Sequence, residues 1–251
     1  MMPVGMVVPT LGSRPHMLAE CLRSLADQSG VRLETVLVTT EQSVDRLTQQ
    51  CRPWPVIPQR GTGIAAAVTT GWQYLGDRVE AVAWLGDDDR LRPGALLAAA
   101  AALEGHPEAV MVYGRTRYMA TEGRAGWELR PGLMGPCMLR MGHNLMLQPG
   151  CLYRRTAVEA IGGLDHTVRL AFDVDLHRRL LKHGKAHYVP MVLGEVRPHA
   201  DSLTVRQRSQ SVEEADMVLI RQMPAWARRT RPVWFPASRL LMRMTAKLGS
   251  R

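Results

Sequence analysis

The chain has 251 residues, 46% of them apolar, with 32 basic and 23 acidic side chains and a formal net charge of +9. This length and apolar content allow one large α/β domain or two small ones, and the four cysteines lack the paired spacing of a zinc site or a disulfide framework. Because no signal peptide and no apolar run long enough to cross a bilayer is apparent, we expect a cytoplasmic protein, either free or peripheral at the inner face of a membrane.

Predicted strands and helices alternate through the first 113 residues. In chain order we predict a strand at 4–8, a helix that carries Leu18, Leu22 and Leu25, a strand at 33–38, a weak helix at 44–51, an extended piece at 53–58, a helix at about 64–75, a strand at 81–85, a helix at 93–103 and a strand at 108–113. Such alternation predicts an α/β fold with a mainly parallel sheet.

Three adjacent carboxylates, Asp87, Asp88 and Asp89, follow the predicted strand at 81–85. Like charges side by side repel, and a divalent cation such as Mg²⁺ or Mn²⁺ removes that cost. Because ligands of open α/β sheets bind at the carboxyl ends of strands, one interpretation is a metal–diphosphate site. The other is a solvated acidic turn that caps the helix beginning near Pro93.

Two loops in this half carry residues suited to phosphate. Arg14, in the loop after the first strand, is either a phosphate contact or a solvated arginine. Gly61 and Gly63 precede a helix, so they either let the backbone approach a phosphate at the helix N-terminus or simply form turns.

The pattern changes after residue 113. We predict an irregular stretch at 114–150, either functional or mobile, with short antiparallel strands. After it we predict a helix at 156–161, a helix from Phe172 with Gly184 as its C-cap, two closing strands at 186–189 and 192–196, and a helix at 207–223. Asp173, at the start of the helix from Phe172, is either an N-cap or a general base. His199 is either a solvated loop residue or a metal or phosphate contact.

The excess charge belongs to the C-terminal segment. Eight of the 32 basic residues and no acidic residue lie beyond Asp216, which leaves 24 basic against 23 acidic residues in the rest, so a basic, nucleic-acid-binding body is excluded. Trp226, Trp234 and Phe235 stand among arginines, and Leu240, Leu241, Met244 and Leu248 follow at helical spacing. This segment suits an anionic membrane surface, or it packs on the body or on a partner in a homodimer.

The order of these motifs resembles the family 2 glycosyltransferases of the GT-A fold over about residues 4–204. The matching segments are the loop at 7–15, the glycine- and alanine-rich helix start at 63–71, the acidic run at 85–93, the Arg-Arg to Gly-Gly-Leu-Asp segment at 154–165 and Phe-Asp-Val-Asp-Leu at 172–176. The chain departs from the family in four places: only Glu41 stands for the usual aspartate pair after the second strand, Thr69 replaces an asparagine, Gly86 an aspartate and Phe172 a glutamate.

The resemblance implies a Rossmann-like GT-A domain at 1–205 with a small antiparallel acceptor-side portion. Residues 1–113 would bind the nucleotide-sugar, 114–205 would form the acceptor side, and 206–251 would be a basic helical tail. It further implies an inverting transfer from a nucleotide-diphospho-sugar, with a UDP-sugar favoured, to an acceptor hydroxyl on a glycan, a lipid-linked glycan or a protein, assisted by Mn²⁺ or Mg²⁺.

The implied site residues fall into three groups. The catalytic base would be Asp173, and the metal ligands would be Asp87, Asp89 and His199. The nucleotide-sugar would contact Pro9, Thr10, Arg14, Glu41, Gly61, Gly63, Asp87 and Asp88. The alternatives are a nucleotidyltransferase of similar fold, and a non-enzymatic module that uses the basic tail to hold a membrane or nucleic acid.

Overall fold

A computed structural model describes residues 2–120, 126–199, 202, 206–233 and 235–236. The strands are β1 (Val4–Pro9), β2 (Leu33–Thr39), β3 (Val56–Pro58), β4 (Ala81–Trp84), β5 (Arg90–Leu91), β6 (Ala109–Tyr118), β7 (Trp127–Leu129), β8 (Cys151–Arg154) and β9 (Lys185–Val196). The helices are α1 (Pro15–Ala26), α2 (Val44–Gln50), α3 (Ile64–Leu75), α4 (Ala95–Gly105), α5 (Gly135–Arg140), α6 (Arg155–Ala160), α7 (Phe172–Leu180) and α8 (Arg208–Gln222). Residues 225–233 are also helical.

All nine of these strands form one sheet, in the order β3-β2-β1-β4-β8-β6-β9-β5, with β7 added to β6. The first four positions are parallel, as the alternation of strands and helices predicts. The antiparallel pairings β4–β8, β6–β8, β6–β7 and β5–β9 fall in the second half. The predicted fold class, a GT-A-like α/β sheet with a small antiparallel portion, is therefore confirmed.

Each face of the sheet is covered by helices. Because side chains alternate along a strand, Met6 and Val8 pack with the leucines of α1 and α4, while Val7 packs on the other face with α3, α7 and α8. Gly71 sets the contact of α3 with the sheet, since a Cβ there would lie 2.5 Å from a methyl carbon of Val7. This close packing fixes the N-terminal end of α3 near the carboxyl ends of β1 and β2.

Two local predictions are wrong. The two closing strands at 186–189 and 192–196 are one strand, β9, because its pairing with β6 continues across Pro190 through irregularities in the register. Gly184 is not the C-cap of α7, which ends at Leu180. Gly184 is needed instead because a Cβ there would lie 2.4 Å from a methyl carbon of Val110.

Part of the C-terminal segment joins the body. Helix α8 packs against α7, and its Val218 belongs to the core on that face. Residues 237–251, with the leucines of the predicted amphipathic segment, lie outside the described residues. Among the helices that the structure does describe, none is both long and apolar enough to cross a membrane.

Candidate active site

A cavity of about 760 Å³ opens at the carboxyl edge of the parallel half of the sheet. Its walls come from the ends of β1, β2 and β4, the start of α3, the segment before β8, the start of α7 and the helix α8. The lining includes Pro9, Thr10, Arg14, Val38, Gln59, Gly63, Asp87, Asp88, Asp89, Tyr118, Asn144, Gln148, Asp173, Arg197, Ser211 and Val212. The volume lies within the range of about 300–1,000 Å³ that is usual for small-molecule sites.

Asp87 ties the loop after β1 to the loop after β4. Its carboxylate accepts hydrogen bonds from the Thr10 hydroxyl at 2.6 Å and from the Arg14 guanidinium at 2.6 Å. Only 4% of Asp87 is exposed, so its charge depends on these partners. The interpretation of the acidic run as a solvated turn is therefore wrong, and the next helix, α4, begins later, with Gly94 as its N-cap.

Asp88 lies between two cationic or titratable side chains. Arg14 approaches its carboxylate at 3.2 Å, and His199 Nε2 lies 2.7 Å from the same oxygen. His199 Nε2 also lies 3.0 Å from Arg14 Nη1. One ring nitrogen cannot donate to Asp88 and accept from Arg14 at once, so only one of the two contacts is a hydrogen bond, depending on which ring nitrogen carries the hydrogen.

Asp89 is the least compensated carboxylate of the run. One oxygen accepts a hydrogen bond of 3.1 Å from the backbone N–H of Arg197. Burial, and next the negative charge of Asp88, raise the pKa of Asp89 to about 8. The donor set fits a divalent cation, because a positive charge beside Asp88 and Asp89 would offset both causes.

Across the described residues, no group of three or more histidine, cysteine or acidic side chains is arranged to hold a metal on its own. Mg²⁺ and related ions usually bind through one or two carboxylates together with substrate phosphates, so an ion here would not need such a group.

Asp173 is the second residue of α7, and Ala171 is the N-cap of that helix. The N-cap interpretation of Asp173 is therefore wrong, and its carboxylate lines the cavity. Burial is the main cause that raises the pKa of Asp173 to about 6, while backbone N–H groups and the Asn144 amide, which donates at 3.3 Å, act in the opposite direction. A carboxylate with a pKa near neutrality suits proton abstraction.

Aromatic packing beneath the cavity connects α7 to β4. Trp84 stacks on Tyr153 with ring centroids 5.6 Å apart, and it packs against Phe172 at the same separation. Phe172 directly precedes Asp173, and Trp84 ends the strand that leads to the acidic run. The stack therefore holds the two acidic elements of the site in a fixed relation.

Helix α8 holds the segment that leads into α7. The Glu214 carboxylate accepts hydrogen bonds from the backbone N–H groups of Arg169, Leu170 and Ala171, at 2.9 Å for Arg169 and 2.7 Å for Ala171. Farther along, Arg221 donates at 2.7 Å to the fully buried Asp175. A negative charge at the N-terminus of α7 is also favoured by the helix dipole.

The structure brings most of the predicted site residues together. Pro9, Thr10, Arg14, Gly63, Asp87, Asp88, Asp89 and Asp173 line the cavity, and His199 reaches the acidic run through Asp88. Glu41 lies in an exposed turn after β2, and Gly61 lies in an exposed turn with a φ of 89°. Neither Glu41 nor Gly61 is among the lining residues.

Sequence reasoning missed Asn144, Gln148, Arg197 and Glu214. Gln148 donates to the carbonyl of Trp84, and the Arg197 side chain donates to the carbonyl of Asp88 at 3.2 Å. The sequence does contain one signal for Asn144: it is the only asparagine in the chain, and it lies in the irregular stretch 114–150. The other three carry no local signal, because their partners are distant in sequence.

Comparisons with known proteins agree with this geometry. Residues 6–162 match the family model described as Glycosyl transferase family 2. The structure is similar to that of TarS residues 1–349 from S. aureus, with a TM-score of 0.62, 16% identity and coverage of 93% of this chain and 74% of that one. No curated protein matches the chain significantly.

Two similar structures contain nucleotide-sugars. TarS 1–349 in complex with UDP-GlcNAc gives a TM-score of 0.62 at 15% identity and covers 93% of this chain and 75% of that one. The mannosyltransferase PcManGT from Pyrobaculum calidifontis, in complex with GDP-Man and Mn²⁺, gives 0.65 at 17% identity and covers 100% of this chain and 81% of that one. At such identities the likeness shows a shared fold.

Replacing Glu214 tests whether α8 stabilises the start of α7. We expect Glu214→Ala to lower the free energy of unfolding by about 2 kcal/mol, because three backbone N–H groups lose a charged acceptor. For a chain of this size the melting temperature should fall by roughly 4–8 °C. Glu213→Ala removes an exposed carboxylate one residue away and should change the free energy of unfolding by less than about 0.5 kcal/mol. Equal stability of the two variants in thermal and urea denaturation would contradict the role of Glu214.

Proposed function

Because this chain belongs to glycosyltransferase family 2, we propose that it transfers a sugar from a nucleotide-diphospho-sugar to an acceptor hydroxyl in a single displacement that inverts the anomeric carbon. The observation that carries this proposal is the meeting of two acidic elements, the run Asp87–Asp89 and Asp173, in one cavity. The family match favours sugar transfer over nucleotidyl transfer and over a purely binding role.

The parallel half of the sheet would bind the donor. Pro9 is the last residue of β1, Val38 lies one residue before the end of β2, and Gln59 follows β3, so these residues give the cavity a wall for the base and ribose. The Asp87 carboxylate already accepts hydrogen bonds from Thr10 and Arg14, so it would hold the loops after β1 and β4 together. Asp88 and Asp89 would then lie nearer to the diphosphate. A UDP-sugar is our first choice of donor, and a GDP-sugar is the alternative.

A divalent ion, Mn²⁺ or Mg²⁺, would be held by Asp89 with the help of Asp88 and the donor's phosphates. The pKa of Asp89, raised to about 8 by burial and by Asp88, supports this choice over Asp87, whose charge is already paired. When bound, such an ion offsets the negative charge that develops on the leaving diphosphate. Arg14 and His199, which contact Asp88, would lie beside that charge.

Asp173 would act as the general base. Its carboxylate would accept the proton of the acceptor hydroxyl while the hydroxyl oxygen forms the new bond to the anomeric carbon and the bond from that carbon to the diphosphate breaks. The Asn144 amide would orient the carboxylate. Asp173 would not bond to the sugar, since the reaction has one displacement step.

Nucleotide binding can be measured as thermal stabilisation by UDP, GDP, CDP and dTDP, each with and without Mn²⁺. We expect UDP with Mn²⁺ to give the largest rise in melting temperature. A ligand at 100 times its Kd adds about 2.7 kcal/mol to the free energy of unfolding, which is roughly 5–10 °C here. If no nucleotide raises the melting temperature with Mn²⁺ present, the donor site is wrong.

Asp89→Asn tests the metal assignment in the same assay. The variant should be as stable as the wild type without metal, because at neutral pH a carboxyl with a pKa of about 8 is already largely protonated. It should lose the part of the nucleotide shift that needs Mn²⁺, whereas Asp45→Asn, at an exposed position of α2, should retain it. An unchanged shift in Asp89→Asn would assign the metal to Asp88.

Asp173→Asn should abolish transfer and preserve donor binding. We expect kcat to fall by about 10²–10⁴-fold, the usual contribution of a general base, with the nucleotide-induced thermal shift unchanged. Asp77→Asn, at an exposed position, serves as the control. Wild-type transfer rates in Asp173→Asn would remove this residue from its proposed role.

The pH dependence of transfer should report Asp173. Because the base must be ionised, kcat/KM should fall as the pH drops through about 6, the pKa of this carboxyl. Asn144→Ala removes a donor that lowers this pKa, so the acidic limb should move upward by up to about one pH unit. Gln42→Ala, which removes an exposed amide, should leave the limb in place. A downward shift or no shift in Asn144→Ala would contradict the contact.

A further inference from the structure

The β6–β7 hairpin carries a pair of stacked aromatic rings. Tyr118 and Trp127 are opposite each other in the antiparallel register, and their ring centroids lie 4.2 Å apart with planes inclined by 10°. Gly126 allows the backbone before β7 to come close to the end of β6, since a Cβ there would lie 2.7 Å from the carbonyl oxygen of Tyr118. We call these two residues the aromatic platform.

The aromatic platform joins the cavity to the protein surface. Tyr118 lines the cavity together with Asp89 and Asp173. Trp127, although one of its faces is covered by Tyr118, is still 51% exposed. A half-exposed tryptophan offers a rigid apolar face with a polar edge, and tryptophan is enriched at binding surfaces for this reason.

Charged side chains lie on the opposite face of the same hairpin, because neighbouring residues of a strand point to opposite faces. Glu128 pairs with Arg117 at 2.6 Å and with Arg130 at 3.2 Å. The Arg130 side chain is 67% exposed and that of Arg117 is 39% exposed. The two rings therefore form the apolar face of the hairpin, and Tyr118 is the ring that reaches the cavity.

We propose that the aromatic platform binds a pyranose ring of a carbohydrate acceptor. The proposal rests on the proposed function and names the substrate class of its acceptor side. One face of a pyranose presents C–H groups that pack on aromatic rings, while its hydroxyls need hydrogen-bonding partners, which Asn144 and Arg197 offer in the cavity that Tyr118 lines.

The position of the platform separates it from the donor. The nucleotide wall is formed by residues at the carboxyl ends of β1, β2 and β3, whereas Tyr118 and Trp127 belong to β6 and β7, in the second half of the sheet.

Titration of defined oligosaccharides into the full chain tests this proposal. The probes are the pentasaccharides of the chito-, cello-, malto-, manno- and xylo-series, measured by calorimetry with UDP and Mn²⁺ present. We expect the wild type to bind at least one of them and Trp127→Ala to bind it about tenfold more weakly. Trp127→Phe, which keeps a ring, should remain within threefold of the wild type.

Trp226→Ala is the matched control, because Trp226 is 72% exposed and lies outside the hairpin; its binding should equal that of the wild type. Melting temperatures establish that each variant is folded, and Trp127→Leu replaces Trp127→Ala if the latter does not fold. Nucleotide-induced thermal shifts are measured on the same samples, so a failure of the donor site is seen separately from a failure of the platform.

Two results would contradict the proposal that the aromatic platform binds the acceptor. One is equal affinity of Trp127→Ala and the wild type for the bound pentasaccharide. The other is a wild type that binds none of the five probes while its nucleotide shift is intact, which would point to an acceptor other than a neutral glycan and leave the proposed transferase standing.

Discussion

The crowding of three adjacent carboxylates after β4, of which Asp87 is only 4% exposed, is the constraint on which the site depends. Such a cluster is unstable alone, and four residues from two separate segments contribute to its compensation. Thr10 and Arg14 come from the loop after β1, and His199 and the Arg197 backbone come from the segment after β9. The segments that hold the charges thereby become the walls of the cavity. The compensation is least complete at Asp89, where the raised pKa reflects the free energy needed to ionise this carboxyl beside Asp88.

The second half of the chain builds the opposite wall by different means. Stacking of Trp84 on Tyr153 and its contact with Phe172 fix the start of α7 against the strand that carries the acidic run. Helix α8 then holds α7 through Glu214 and Arg221. Both Asp173 and α8 lie beyond the matched residues 6–162, so the cavity is completed by a part of the chain outside the family match.

The sequence by itself determined the fold class and the position of most of the acidic residues. Buried strands and amphipathic helices alternate clearly in the first 113 residues, because each element's pattern is local and has its own period. The acidic run after β4 and the aspartate at the start of α7 were predicted from local spacing and from the resemblance. In the second half, the sequence predicts two strands in place of β9, because Pro190 interrupts the local strand pattern, whereas pairing with β6 sets the real length of the strand.

Only the tertiary structure decided what each carboxylate does. Asp87, Asp88 and Asp89 have the same side chain, but the fold gives each different partners. Asp87 accepts hydrogen bonds from Thr10 and Arg14, Asp88 is approached by Arg14 and His199, and Asp89 accepts a hydrogen bond from a backbone N–H. Asn144 reaches Asp173 across 29 residues, and Glu214 reaches Ala171 across 43. Such partners are brought together by packing of distant segments. Because pKa depends on burial and neighbouring charge, the sequence could place the acidic residues but could not assign their protonation.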